Sequence, residues 1–253
     1  MGFEQAWLNY TEKTSCEGVA ELQYICVDIV EDFQPEKTGS AAFGADELIE
    51  SGVRELQNAL EGMTGSRPVF REQPDGGAGK GIHLLFQKGI PAEGYRLSEK
   101  DGDVTIAASD SRGMLYGIFA LLRQIRLGKT IRGMALVKAP DMPLRMLNHW
   151  DNMDGSIERG YAGESFFFQD NEILINDRTV TYARLAASVG INAVVINNVN
   201  VKDAATWLIT ERYLGKVREL NEIFAGYGIK LFLSLNYAAP VELGELESAD
   251  PLD

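Results

Sequence analysis

The run Asn148-His149-Trp150-Asp151-Asn152-Met153-Asp154-Gly155-Ser156-Ile157-Glu158-Arg159-Gly160-Tyr161 gathers side-chain amides, an imidazole, an indole, three carboxylates and a guanidinium. Planar amides and carboxylates hydrogen-bond paired hydroxyls, and an indole face covers the apolar face of a pyranose ring. The chemistry that fits is sugar binding. Asn197-Asn198-Val199-Asn200 and Asn236-Tyr237 carry the same amide character further along the chain. Each residue also has a plainer reading. His149 fits a core histidine whose ring nitrogens are satisfied by neighbours. Asp151 and Asp154 fit carboxylates that cap or hold a loop. Glu158 and Arg159 fit an ion pair, and the asparagine cluster fits ties between loop backbones. Trp150, just beyond an apolar stretch and flanked by Asn148, His149 and Asp151, reads best as a ligand platform.

Hydrolysis of a glycosidic bond needs two carboxyl groups placed on either side of it. Asp151, Asp154 and Glu158 all follow one strand, which favours binding over catalysis. The candidate binding set is therefore Asn148, His149, Trp150, Asp151, Asn152, Asp154, Glu158, Arg159, Asn198, Val199 and Asn236, with no catalytic residue and no metal ligand among them.

Other chemistries are disfavoured. A net charge of -13, with Lys and Arg only singly or in pairs, does not suit a nucleic-acid surface. Gly76-Gly77-Ala78-Gly79-Lys80-Gly81 departs from a phosphate cradle, with Pro74 at the first glycine position and Gly81 where Ser or Thr belongs, and is expected to be a flexible surface turn. Cys16 and Cys26 have no His or Cys at metal-ligand spacing, so buried free thiols are expected rather than a disulfide or zinc site. The start, MGFEQAWLNY, lacks a charged segment followed by an apolar one, and no later stretch approaches the roughly 18 apolar residues of a membrane span. A cytoplasmic protein without membrane attachment is expected.

These residues must be positioned by elements that the hydrophobic pattern also marks out. Val19 to Val30 is expected to be a strand and Gly39 to Gly44 a loop. Leu48, Ile49, Val53, Leu56 and Leu60 predict a helix from Ala45 to Leu60, with Gly62 as its C-cap. A loop over residues 72 to 81 leads to a strand at Ile82 to Phe86. Gly94 to Leu97 and Val104 to Ala108 are strands joined by Asp101-Gly102-Asp103. Ser111 to Leu127 is a second amphipathic helix. This order predicts a small α/β or α+β domain over residues 1–138. Two prolines in Lys138-Ala139-Pro140-Asp141-Met142-Pro143 mark the boundary. Beyond it, Leu144 to Trp150, Asn192 to Ile196 and Lys230 to Leu235 read as strands, with helices at Val180 to Val189 and Ala205 to Tyr227. Strands alternating with helices predict a parallel sheet of βα units. Three units are countable where a (β/α)8 TIM barrel needs eight. The fold class expected is thus an N-terminal α/β domain followed, over 139–253, by the first three βα units of an incomplete barrel. A three-stranded αβ sandwich with an added domain is the alternative.

The run NHWDNMDGSIERGYAGESFFF, Asn148 to Phe168, resembles the bacterial α-glucuronidases of glycoside hydrolase family 67. Tyr116-Gly117-Ile118-Phe119-Ala120-Leu121-Leu122-Arg123, INAVVINNVNV and GIKLFLSLNYAAPVELGEL extend the likeness over most of the chain. The resemblance implies release of 4-O-methyl-glucuronic acid from xylan-derived oligosaccharides, with inversion and without a cofactor. It implies a small α/β domain, a (β/α)8 barrel and a mostly helical C-terminal region that commonly mediates homodimerisation. Trp150 matches a tryptophan lining the family's uronic-acid pocket. The family's acid and base carboxylates, and the basic residues that hold the sugar carboxylate, come from later strands that would lie beyond Asp253. A non-catalytic carbohydrate-binding module and an α/β scaffold with structural polar loops are the competing readings.

Overall fold

The computed structural model describes residues 7–11, 13–29, 47–71, 79–198, 201–244, 246–248 and 250. The expected loop at Gly39 to Gly44 lies outside them. The chain divides into two compact units, Met1–Pro143 with Leu185–Gly190, and Leu144–Arg184 with Ile191–Asp253.

The first unit is built on six strands: β1 (Leu22–Ile29), β2 (Val69–Arg71), β3 (Lys80–Phe86), β4 (Tyr95–Lys100), β5 (Asp103–Ala108) and β6 (Ala135–Lys138), with helices α1 (Glu47–Thr64) and α2 (Ser111–Arg126). Their order across the sheet is β2-β1-β3-β5-β4-β6. The first four run parallel, and β4 and β6 add antiparallel pairs. Period-2 alternation decides which face is packed: Ile82, Leu84 and Phe86 of β3 and Val104, Ile106 and Ala108 of β5 are fully buried. The stripes Leu56, Leu60 and Met63 of α1 and Leu115, Ile118, Leu122 and Ile125 of α2 are buried as well. Each such side chain contributes about 1.5–3 kcal/mol. Asp110 caps α2 by accepting from the Gly113 N–H at 2.8 Å. The β4–β5 hairpin turns on Asp101 (φ 53) and Gly102 (φ 93), both left-handed as a two-residue hairpin requires.

Several expectations are corrected here. The first strand begins at Leu22, after a 3-10 turn over Val19–Glu21. Lys80 and Gly81 open β3 rather than lying in a surface turn. The Tyr24 ring occupies the space that a Cβ on Gly81 would fill, so glycine belongs in this strand. Gly62 is not a C-cap. Helix α1 runs on to Thr64, and Gly65 (φ 81) follows it. Gly62 sits inside the helix because the Tyr10 carbonyl oxygen stands where its Cβ would be.

The second unit holds β7 (Met146–Asn148), β10 (Ala193–Val195) and β11 (Lys230–Phe232), all parallel in the order β11-β10-β7. Val195 pairs with Asn148 on one side and Phe232 on the other, so the carboxyl ends are level. Helices α3 (Asp177–Ser188) and α4 (Glu211–Ala225) fall between the strands in sequence. The short strands β8 (Phe168–Gln169) and β9 (Glu172–Ile173) form a hairpin through Asp170 (φ 51) and Asn171 (φ 62). The expected helix from Ala205 to Tyr227 is two elements, a 3-10 segment over Asp203–Ile209 and then α4. Thr210 between them is extended, and its hydroxyl donates to the Trp207 carbonyl at 2.7 Å, a local bond that competes with a helical turn. The architecture is mixed α/β. No described helix is long and apolar enough to cross a membrane.

Replacing a helix-interior glycine by alanine ordinarily stabilises by about 1 kcal/mol. At Gly62 the overlap with the Tyr10 carbonyl reverses the sign, and Gly62→Ala is expected to cost about 1–3 kcal/mol. Thermal melting checks this; a Tm at or above that of the parent would contradict it.

Candidate functional site

Because β7, β10 and β11 are parallel neighbours, the segments beyond them emerge together. The His149 N–H donates to the Val195 carbonyl at 2.9 Å, and the Asn198 N–H to the His149 carbonyl at 3.0 Å. A bridge then joins Trp150 to Asn197. Asn197, 1% exposed, works as a double-ended clamp. Its amide nitrogen donates to the Ser234 carbonyl at 3.1 Å, and its oxygen accepts from the Ser234 N–H at 2.9 Å. The Ser234 hydroxyl donates to the Asn198 side-chain oxygen at 3.0 Å. Thus the chain just beyond all three strands is tied side by side.

The loop after β7 is organised from within. Asp151 is 4% exposed. One carboxylate oxygen accepts from the Ser165 hydroxyl and the Phe166 N–H, both at 2.6 Å, and from the Phe167 N–H at 3.3 Å. Burial opposes its ionisation, but these donors together with His149 outweigh burial and hold its pKa below the usual value. His149 lies between polar partners, with Nε2 2.6 Å from the Tyr182 hydroxyl and Nδ1 3.6 Å from Asp151. Burial first, and the Asp151 charge second, push the Tyr182 hydroxyl well above its ordinary range, so it stays protonated. Nε2 accepting from Tyr182 and Nδ1–H directed at Asp151 is the arrangement that serves all three groups. The imidazole also packs edge-on against Phe167 and Tyr182, at 4.8 and 5.5 Å between centroids.

Further along, the Asn152 amide donates to the Ser156 hydroxyl (2.9 Å) and the Glu158 carbonyl (2.8 Å). Asp154 accepts from the Ser156 hydroxyl and N–H, which hold its carboxyl below the usual range. Glu158 adopts φ 56, and its N–H reaches the Trp150 carbonyl at 2.8 Å. The Glu158 carboxylate accepts from the Tyr161 hydroxyl, raising that tyrosine's pKa. Asn236 donates to Glu242 and accepts from the Ala238 N–H, and Glu242 also accepts from the Thr206 hydroxyl.

The predicted residues differ in what holds them. Asp151 is buried and fully occupied with the loop. Asn152 and Asp154 serve the turn, and His149 has neighbours at both nitrogens. Asn148, Trp150, Asp154, Arg159 and Asn198 are exposed, Trp150 to 42%. Val199 and Asn200 lie outside the described residues. Tyr182, Ser165 and Glu242, which complete these arrangements, are not apparent from the local sequence because they stand 33, 14 and 6 residues from their partners. Cys16 and Cys26 are buried and form no disulfide.

This chain matches the middle domain of glycosyl hydrolase family 67 over residues 124–253, just over half its length, and the second domain of glycosyl hydrolase family 20 over residues 38–137. It belongs to glycosyl hydrolase family 67. A probable alpha-glucuronidase A of Aspergillus terreus is 35% identical over 219 residues, covering 81% of this chain and 26% of the relative. Alpha-glucuronidase A of Emericella nidulans is 40% identical over 167 residues, 64% of this chain and 19% of the relative. The chain thus spans about a quarter or less of these relatives' lengths. Both are fungal, so the resemblance holds for the family and not for its bacterial members in particular. In fold, the GH20 beta-N-acetylhexosaminidase of Streptomyces coelicolor is similar at TM-score 0.53 and 17% identity, over 83% of this chain and 41% of that one.

Since the folded pKa of Asp151 lies below the unfolded value, its contribution to stability is complete above the unfolded value and is lost as pH falls through the folded one. Asp151→Asn should cost about 1–3 kcal/mol at neutral pH by mismatching the donors around it. It should also flatten the loss of stability on acidification. Urea unfolding at neutral and acid pH measures both; equal curves for the two proteins would refute the role.

Proposed function

We propose that this chain provides the sugar-facing opening segment of an α-glucuronidase that releases 4-O-methyl-glucuronic acid from xylan-derived oligosaccharides. The observation that carries this reading is the Trp150 ring, exposed on a backbone held by Asn197 and Glu158. Asn148 and Asn198, on the adjoining strand ends, offer amides for the sugar hydroxyls. In this proposal the parallel sheet of β7, β10 and β11 opens a (β/α)8 barrel, with residues 1–138 as an accessory domain and 139–253 as the start of the barrel. Parallel strands with level carboxyl ends and helices between them in sequence support it.

Catalysis is assigned to carboxylates on other strands of the barrel, acting by inversion without a cofactor. Supporting this, Asp151 and Asp154 are committed to loop hydrogen bonds, and Glu158 shares their loop. Inverting hydrolysis needs two carboxyl groups on opposite sides of the bond, and these three stand in one loop. The remaining candidates, His149, Asn152, Arg159, Val199 and Asn236, act as supports or rim contacts in the same scheme.

In a form carrying all eight barrel units, Trp150→Ala is expected to lower kcat/KM on aldouronic acids at least about tenfold, the equivalent of about 1.4 kcal/mol. Unchanged kcat/KM would remove Trp150 from the site.

A further inference from the structure

In the first unit, Cys26 and Asp28 project from the same face of β1, two residues apart, and His83 is the register partner of Cys26 on β3. Their Sγ, carboxylate oxygen and ring nitrogen all lie within 4.8 Å of one another. Nδ1 of His83 is 3.1 Å from Cys26 Sγ and 3.1 Å from Asp28 Oδ2, and Sγ is 3.7 Å from the same oxygen. Two groups thus compete for one nitrogen. An imidazole nitrogen has a single in-plane valence, used either to donate or to accept, and it cannot make a full hydrogen bond to both neighbours. A cation among the three atoms engages all of them.

The separations suit such an ion. Bonds of about 2.0–2.3 Å from sulfur, nitrogen and oxygen to a tetrahedral metal place the ligand atoms at about these spacings from one another. The far side of the ring is also arranged as metal-bound histidines are. Nε2 of His83 faces the Tyr24 hydroxyl at 3.3 Å and Asp103 Oδ1 at 3.9 Å, oxygen partners that orient a ligating imidazole and fix its tautomer. Arg71 lies over the Tyr24 ring at 4.6 Å, and Lys80 is 3.7 Å from Asp103.

We propose that Cys26, Asp28 and His83 form a binding site for a divalent cation of the zinc class, held through Sγ, a carboxylate oxygen and Nδ1. Thiolate, imidazole and carboxylate together select zinc or cobalt over calcium and magnesium, which take oxygen ligands. Three protein ligands leave the fourth tetrahedral position to water. Binding expels the Cys26 thiol proton to solvent and leaves neutral His83 protonated at Nε2, so one proton is released per ion. The ion joins β1 to β3 within the sheet of the first unit. The site is independent of the sugar-binding proposal.

The test is titration of the intact 253-residue chain with Co2+, read by absorption. One equivalent should bind with a thiolate-to-metal charge-transfer band, and Zn2+ should bleach it by displacement. The chain has two cysteines, so Cys16→Ser keeping the band and Cys26→Ser losing it identifies the ligand. Tyr24→Phe, which leaves the ligands in place, should weaken affinity about tenfold. If Cys26→Ser does not fold, a one-equivalent band that survives Cys16→Ser still assigns the sulfur to Cys26. No saturable Co2+ binding, binding without a thiolate band, or a band lost in Cys16→Ser would overturn the proposal.

Discussion

Parallel pairing of β7, β10 and β11 obliges the segments leaving their carboxyl ends to emerge side by side. An antiparallel neighbour would send one of those segments to the opposite edge. Three-residue strands make few ladder bonds, so the arrangement leans on the residues just past the strand ends. The buried Asn197 amide supplies two further bonds to Ser234, and the Trp150–Asn197 bridge prolongs the contact between the first two segments. A buried amide is costly unless both its ends are matched. Asn197 matches both, which makes it a structural residue whose product is the placement of Asn198 and Trp150.

The loop beyond β7 is held by a second buried polar centre. Asp151 draws the Phe166 and Phe167 N–H groups and the Ser165 hydroxyl onto one oxygen, and so folds residues 151 to 167 back on themselves. Phe167, brought in by that turn, packs against His149 and Tyr182, and both Phe167 and Tyr182 reach Phe224 of α4. Charge, hydrogen bonding and aromatic packing therefore act on the same few residues. The consequence is a division of labour along one motif. Asp151 fixes the backbone from within, Asn152 and Asp154 hold the turn nearer the surface, and the Trp150 ring is left exposed.

Much of this is legible in the sequence where the signal is local. The 3.6-residue periodicity of α1 and α2 and the turn at Asp101-Gly102 all map onto elements within a few residues. Alternation of strands and helices also predicts the three parallel strands. The failures have physical causes. Strand β2, with Val69 and Phe70 exposed at the sheet edge, carries no alternation to read. Gly62 resembles a helix end because its tertiary reason, the Tyr10 carbonyl, is 52 positions away. Thr210 divides a stretch whose apolar spacing alone suits one helix. Residue type marks out the polar motif, but does not tell which of its residues face outward, since that depends on partners such as Tyr182 and Ser165. Cys26 and His83 meet only through strand register, 57 residues apart, beyond the reach of any spacing rule.

We propose that the carboxyl edge of this three-stranded sheet holds a uronic sugar against Trp150. It is tested most directly by an NMR titration of the chain with 4-O-methyl-glucuronic acid. Saturable shifts of the Trp150 indole N–H and of the Asn148 and Asn198 side-chain amides are expected, with the Trp7 indole of the first unit unmoved. Shifts centred on Trp7, or a Trp150 indole that does not respond at saturating sugar, would contradict it.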